Sequence, residues 1–237
     1  LEKRELLHEG KAKRVFKTDN PRFLLMEFKD DISAFDGVKK AQLSRKGEFN
    51  NRVSTFLFEY LEGYSVPTHF VQSVSATEML VKNLQMIPIE VVMRNISTGS
   101  LVKRYGYEEG KELSYPVFEL FLKDDSRHDP MMNETHAYAF GIATPEQMRT
   151  IQRITSKVNA ILKSFFDRRG LILVDFKLEF GHHEGVVYLA DEISADSCRI
   201  WDKKTGKKLD KDRFRHDLGD VESAYEELMG RVINNPA

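Results

Sequence analysis

Residues 171–194, LILVDFKLEFGHHEGVVYLADEIS, form two apolar runs around a Gly-bounded turn, the pattern of an antiparallel hairpin. The opening LILV run has the composition of a strand buried on both faces, so this segment belongs inside a sheet. Yet Asp175, Lys177, Glu179, Asp191 and Glu192 interrupt it with charge. Alternation along a strand puts Phe176, Leu178 and Phe180 on one face and Asp175, Lys177 and Glu179 on the other. A turn near Gly185 brings Asp191 close to Glu179. Carboxylates gathered in this way repel and need a cation between them. One reading is a Mg²⁺ site, because that ion takes one or two carboxylates plus substrate phosphates. The other is a solvent-facing strand on which Lys177 bridges two acids.

The rest of the chain frames this hairpin. With 237 residues, it is long enough for one large domain or two lobes sharing a cleft. Lys plus Arg (36) nearly cancel Asp plus Glu (37), which argues against a nucleic-acid-coating protein and leaves anion binding to local clusters. A single cysteine, Cys198, rules out an internal disulfide or cysteine zinc site and reads as a packing residue. No apolar run reaches the roughly 18 residues of a membrane span. The N-terminal LEKRELLHEGKAKRVF lacks the apolar stretch of a signal peptide, so a cytoplasmic location is expected and no membrane partner. The N-x-S/T matches at Asn95 and Asn133 are then chance matches rather than glycosylation sites.

The first 85 residues read as short strands, AKRVFKT, RFLLMEFK and HFVQSVSATEMLVKNL, interrupted by a helix over 50–63. IPIEVVMR predicts a further strand, with Pro88 at its start as a hinge between lobes. Thr144, Pro145 and Gln147 spell a capping-box start, and Met148, Ile151, Ile154, Val158, Ile161, Leu162 and Phe165 recur at helical spacing up to Gly170. A last helix is predicted over DVESAYEELMGRVI. The plan is an α+β fold: a β-rich N-terminal lobe over 1–85 and an α/β C-terminal lobe over 86–237.

Several loops carry polar groups suited to anions. HEGKAKRVF places Gly10, Lys11 and Lys13 in a tight turn, either a phosphate cradle or a solvated basic turn. DDISAFDG is an acidic turn or a loop touching substrate or metal. MRNISTGSLVKR offers Arg94 and hydroxyls to a phosphomonoester, or else Ser100 caps a helix. ELFLKDDSRHDPMMNE gathers Lys123, Asp124, Asp125 and Asp129, and ADSCRIWD sets Arg199 after the hairpin. The chain has no Walker motif, H-R-D, D-F-G or G-x-G-x-x-G, which counts against a nucleoside triphosphatase of the Walker type and a protein kinase. A non-catalytic nucleotide-binding module leaves the separate Arg/Ser loop unexplained.

In order, GKAKRVF, DDISAFDG, RNISTGSLVKR, ELFLKDDSRHDPMMNE, LVDFKLEFG and LADEISADSCRIWD resemble the bacterial SAICAR synthetase (phosphoribosylaminoimidazole-succinocarboxamide synthase) family over nearly the whole chain. The one visible departure is ISTGS, where AAGS-like blocks also occur; Arg94 and Ser100 are kept. The resemblance implies a two-lobed, kinase-like fold with ATP in the cleft. It implies an ATP-dependent ligase of purine biosynthesis joining carboxyaminoimidazole ribonucleotide (CAIR) to L-aspartate, with ATP as co-substrate and Mg²⁺ as cofactor. On the same ground, Gly10, Lys11, Ala12 and Lys13 cover the ATP phosphates, and adenine lies near Lys82 and Met86. Glu179 and Asp191 hold Mg²⁺. Lys177 faces the transferred phosphoryl group, and Asp175 orients it or handles a proton. Arg94, Ser100 and Arg199 clamp the CAIR phosphate, with Asp36, Lys123, Asp129 and Asp196 near the substrates. A homodimer is expected, with small-molecule partners and no nucleic acid.

Overall fold

A computed structural model describes residues 1–35 and 37–234; Asp36, expected near the substrates, lies outside the described residues. The chain opens with β1 (Lys3–Glu9), β2 (Lys13–Thr18) and β3 (Phe23–Phe28), each antiparallel to the next. The DDISAFDG segment begins as a strand, not only a turn: β4 (Asp31–Ala34) pairs with β5 (Lys39–Gln42) in a separate hairpin. Next comes α1 (Lys46–Glu62), then β6 (Phe70–Ser73) and β7 (Glu78–Lys82). The resulting five-stranded sheet has the order β1-β2-β3-β7-β6.

Helix α1 begins four residues before the predicted start, because Lys46, Gly47 and Phe49 are also buried. Gly47 fits there since a Cβ would meet the Phe28 carbonyl oxygen at 2.5 Å. Val53, Leu57 and Leu61 enter the core as their spacing requires, while Phe56 and Tyr60 pack at its margin against Phe165.

The second sheet is built on β8 (Gln85–Ile96), which lies after the short α-free connection Asn83–Leu84. It is followed by α2 (Ser100–Tyr105), β9 (Glu112–Leu122), the two-residue β10 (Met131–Met132), α3 (Glu134–Ala139) and α4 (Pro145–Asp167). Then come β11 (Leu171–His183), β12 (Val186–Ala190), β13 (Cys198–Asp202), α5 (Asp212–Arg215) and α6 (Val221–Asn234). The order is β10-β9-β8-β11-β12, with β13 pairing the first half of β11. Pro88 is not the passage between sheets. It sits inside β8 at an irregularity in the pairing with β11, where its missing N–H costs no ladder bond.

The capping box of α4 is present: Thr144 Oγ1 accepts from Gln147 N at 3.1 Å, and Gln147 Oε1 accepts from Thr144 N at 2.8 Å. Met148, Ile151, Ile154, Val158, Leu162 and Phe165 line its buried face, which packs on β11. Helix α1 packs on α6, so elements from both halves of the chain share one core with both sheets. Asn95 is buried against Asn159 and the Leu173 carbonyl, and Asn133 caps α3. No described helix is long and apolar enough to cross a membrane.

Candidate active site

A cleft of about 860 Å³ lies between the two sheets. The β1–β2 turn covers one side of it, closed by Gly10 N donating to Lys13 O at 2.8 Å. Val15, Leu24, Val81, Met86 and Ile87 give it an apolar end, and Lys82 lies there with its Nζ donating to the carbonyls of Thr68 (2.8 Å) and Phe70 (3.2 Å). The lobe connection can press against β11 at this end because residue 181 is glycine; a Cβ there would sit 2.8 Å from Leu84 Cβ.

The hairpin supplies the charged end. Glu179 faces Ala190 across the β11–β12 ladder, so Asp191 follows directly beyond the pair. The turn at Glu184 and Gly185 takes positive φ at both residues, the geometry of the tightest hairpins. Asp175 and Glu179 are almost wholly buried, at 4% and 6% exposure, which sets aside the solvent-facing strand. Lys177 does not bridge its neighbours on the stripe either. Its Nζ donates to Glu90 Oε1 at 2.7 Å, on the adjoining strand β8.

Glu179, Asp191 and Glu192 each meet a lysine from another element. Lys13 Nζ lies 2.5 Å from Asp191 Oδ1 and 2.7 Å from Glu192 Oε1. Lys123 Nζ donates to both oxygens of Glu179, at 2.7 and 2.6 Å. Burial works against the charge on Asp191, but Lys13 outweighs it and holds the pKa at about 2. Burial and the nearby Asp191 push Glu179 above the ordinary carboxylate value, against the pull of Lys123 and Lys177. The two acids are thus driven apart in affinity for protons, as closely placed like charges are. Lys13, despite burial, is held well above the usual lysine pKa by Asp191 and Glu192. Burial also opposes the charge on Lys177, and Glu90 and Glu179 raise its pKa to about 12.

Around this centre, Lys11 Nζ reaches Asp125 Oδ1 at 3.1 Å, linking the β1–β2 turn to the loop after β9. Asp129 lines the cleft and shapes that loop by accepting from Asp124 N at 2.8 Å. Asp196 lies deeper, accepting from Tyr225 OH at 2.7 Å, with the Lys46 ammonium 2.8 Å from Oδ2 as an ion pair.

Arg94, Ser100, Arg199 and Asp175 come together outside the cleft lining, at the position on β11 two residues before Lys177. Asp175 Oδ2 accepts from Arg94 Nη1 at 3.1 Å and from Arg199 Nη1 at 2.9 Å. Arg94 also donates to Glu119 at 2.8 Å and to Ser100 Oγ at 2.9 Å, and Arg199 to Asp212 at 2.7 Å. Ser100 is the first residue of α2 rather than its cap, a place taken by Gly99 with φ 58°. Gly99 is required twice over, since a Cβ would also lie 2.8 Å from Arg199 Nη2.

Thus Gly10, Lys11, Ala12, Lys13, Lys82, Met86, Lys123, Asp129, Lys177, Glu179, Asp191 and Asp196 all line one cleft, and Arg94, Ser100, Arg199 and Asp175 form a second cluster. Glu90, Glu119, Lys46, His69, Lys211 and Asp212 were not singled out from the sequence. Glu90 and Glu119 carry the same signal as the hairpin, a lone acid within an apolar strand. The helix-borne and loop-borne groups carry no such signal.

The SAICAR synthetase family model matches residues 6–232. The phosphoribosylaminoimidazole-succinocarboxamide synthase of Chloroherpeton thalassium is 55% identical over 235 residues, covering 99% of this chain and all of that protein. The crystal structure of the enzyme of that name from Ehrlichia chaffeensis superposes with a TM-score of 0.95 at 41% identity, covering 98% of this chain and 100% of its own. A SAICAR synthetase solved in complex with ADP gives a TM-score of 0.94 at 46% identity, covering 98% of this chain and 99% of its own. This two-lobed α+β chain belongs to the SAICAR synthetase family.

Proposed function

We propose that the cleft joins the carboxylate of CAIR to the amino group of L-aspartate by way of an acyl phosphate, releasing ADP and phosphate. Membership of the SAICAR synthetase family makes the chain an ATP-dependent ligase of purine biosynthesis. A carboxylate resists attack by an amine because its leaving group would be oxide. Transfer of the γ-phosphoryl group of ATP to a carboxylate oxygen replaces that oxide with phosphate. The amine then attacks the acyl carbon, the C–O bond breaks, and phosphate leaves with the bonding electrons.

In this reading, residues 1–85 cover the nucleotide and 86–237 carry the metal and substrate sites. Gly10–Lys13 lie over the ATP phosphates, and adenine enters the apolar end by Lys82 and Met86. Lys177, kept protonated by Glu90 and Glu179, neutralises charge on the moving phosphoryl group rather than taking a proton. Arg94, Ser100 and Arg199 grip the ribonucleotide phosphate. Asp175 shares one oxygen between both arginines, which favours a bracing role over direct proton handling. Lys123, Asp129 and Asp196 border the substrates.

The donor set also fits Mg²⁺. Glu179 and Asp191 offer only oxygens, and Asp191 stays ionised through the physiological range. With nucleotide bound, these two residues would hold the ion, which supplies Lewis-acid neutralisation of the phosphates. Lys13 and Lys123 now occupy the same oxygens and hold the acids in place.

The observation that carries this reading is the spacing on β11. Successive same-face positions give Asp175 to the arginine cluster, Lys177 to the middle and Glu179 to the nucleotide cleft. A phosphomonoester and ATP could therefore meet across one lysine. The test is to supply protein, Mg²⁺, ATP, L-aspartate and CAIR bearing ¹⁸O in its carboxylate. Amide product, ADP and labelled phosphate are expected; ADP without amide would indicate phosphoryl transfer alone. Following the family, we also propose a homodimer, which sedimentation velocity tests.

A further inference from the structure

The face of the second sheet that bears Arg94 carries a row of charge across neighbouring strands. Arg94 on β8 stands opposite Asp175 on β11, and Asp175 stands opposite Arg199 on β13. On the other side of β8, Glu119 of β9 pairs with Val92, two residues from Arg94 and so on the same face. Arg104 on α2 ends the row by donating through Nη2 to Glu119 Oε1. Glu119 is the one member of this row on the sheet that the ligase reading leaves without a task. It is 4% exposed, and each of its oxygens is held by a different arginine, Oε2 by Arg94 Nε at 2.8 Å.

A carboxylate shut into the apolar stretch FELFL is costly unless it answers a buried cation. Arg94 is that cation, and its donors are already partly committed. A guanidinium has five N–H groups; Glu119, Asp175 and Ser100 take one each, on three different nitrogens. These contacts fix the plane of the group and leave donors over for a ligand. Only Glu119 holds Nε, because Asp175 and Ser100 both meet the terminal nitrogens. Along the hydrogen-bonded row, Arg104, Arg94, Arg199 and Arg215 alternate with Glu119, Asp175 and Asp212. The row therefore keeps a surplus of positive charge for an anion.

We propose that Glu119 is a positioning residue for the ribonucleotide phosphate: it aims the Arg94 fork and ties Arg104 to it, without touching substrate itself. This rests on the ligase reading given above, in which Arg94 grips that phosphate. Donors set in place beforehand avoid the ordering cost that a loose arginine side chain incurs on binding. Without the Glu119 carboxylate, Arg94 keeps its charge and its terminal contacts but can turn about them. Arg104, one helical turn after Ser100 and stacked over Phe121 at 5.5 Å, loses the acid it shares with Arg94. The two guanidinium groups then repel where they had been joined.

Steady-state kinetics with CAIR and with its dephosphorylated riboside tests this. Glu119→Gln should raise the CAIR KM about tenfold or more, with the ATP and L-aspartate KM values within about twofold of wild type. It should also narrow the preference for CAIR over the riboside, which carries no phosphate to grip. A merely structural role would weaken the use of both and leave that preference unchanged, which would overturn the proposal. Because Glu119 acts through Arg94, adding Glu119→Gln to Arg94→Lys should move the CAIR KM by less than about twofold. Effects that multiply in the double variant would also overturn it. Glu119→Asp keeps the charge one methylene short and should give a smaller rise of the same kind; it carries the comparison if Glu119→Gln does not fold. A wild type that makes amide from CAIR and riboside equally well would take the phosphate away from the arginine cluster, and the role of Glu119 with it. Failure of wild type to form any amide would instead overturn the ligase reading.

Discussion

Lys13 on β2 and Asp191 at the end of β12 form a 2.5 Å ion pair that joins the N-terminal sheet to the hairpin of the second. Both groups are charged in the folded protein, each holding the other's pKa away from its ordinary value. The pair therefore couples lobe position to the state of the candidate metal-binding acids.

Removing the cation exposes that coupling. Lys13→Met leaves Asp191 and Glu192 together without their common partner. Breaking a buried pair from one side costs about 3–5 kcal/mol. The urea midpoint should fall accordingly. Calorimetry should show ADP affinity reduced about tenfold or more, while the CAIR KM stays near wild type. Unchanged ADP affinity would remove the β1–β2 turn from the nucleotide site.

A second prediction separates fork geometry from charge. Arg94 is 3% exposed and serves Glu119, Asp175 and Ser100 at once. Lysine keeps the charge but not the planar donors. Arg94→Lys should raise the CAIR KM by an order of magnitude or so with the ATP KM little changed. Equal changes in both would mean that Arg94 acts on the fold rather than on the substrate phosphate.

The arginine cluster also carries a pH signature. Asp210 accepts from Ile200 N and Asp212 N, each at 2.8 Å. Burial first, then the neighbouring Asp212, raises its pKa to about 7. Between the unfolded carboxylate value of about 4 and that folded value, the folded state binds the extra proton. Stability from this group is therefore greatest below about pH 4 and declines as pH rises towards 7. Chemical denaturation of wild type and Asp210→Asn across pH 4–8 should show the wild type losing stability relative to the variant as pH rises. A constant difference would show that Asp210 does not titrate in this window.

Much of this architecture could be read from residue pattern because the signals were local. The Thr144-Pro145-Gln147 start of α4 and the apolar face of β11 depend only on neighbours in sequence, and both formed as expected. The charged stripe was equally legible, since a carboxylate in an apolar strand announces a partner. The partner's identity was not. Lys177 turned to Glu90, and Lys13 crossed between sheets to Asp191, because those choices depend on register and lobe packing. The same limit hid Lys46 and Lys211, which sit on a helix start and a loop where a lysine is ordinary until the chain folds around it. The position of Pro88 shows the converse: a residue that usually ends a strand was absorbed at an irregular register.

The ligase account turns most directly on Asp191. Replacing it with asparagine keeps the shape, removes a charged oxygen donor, and takes from Lys13 its closest partner. Amide formation should be measured for Asp191→Asn over a Mg²⁺ titration, beside its metal-free melting curve. The account predicts a loss of turnover of about a hundredfold or more, a higher Mg²⁺ requirement and a lower melting temperature. A protein that is destabilised yet turns over at nearly the wild-type rate, with the same Mg²⁺ dependence, would contradict it.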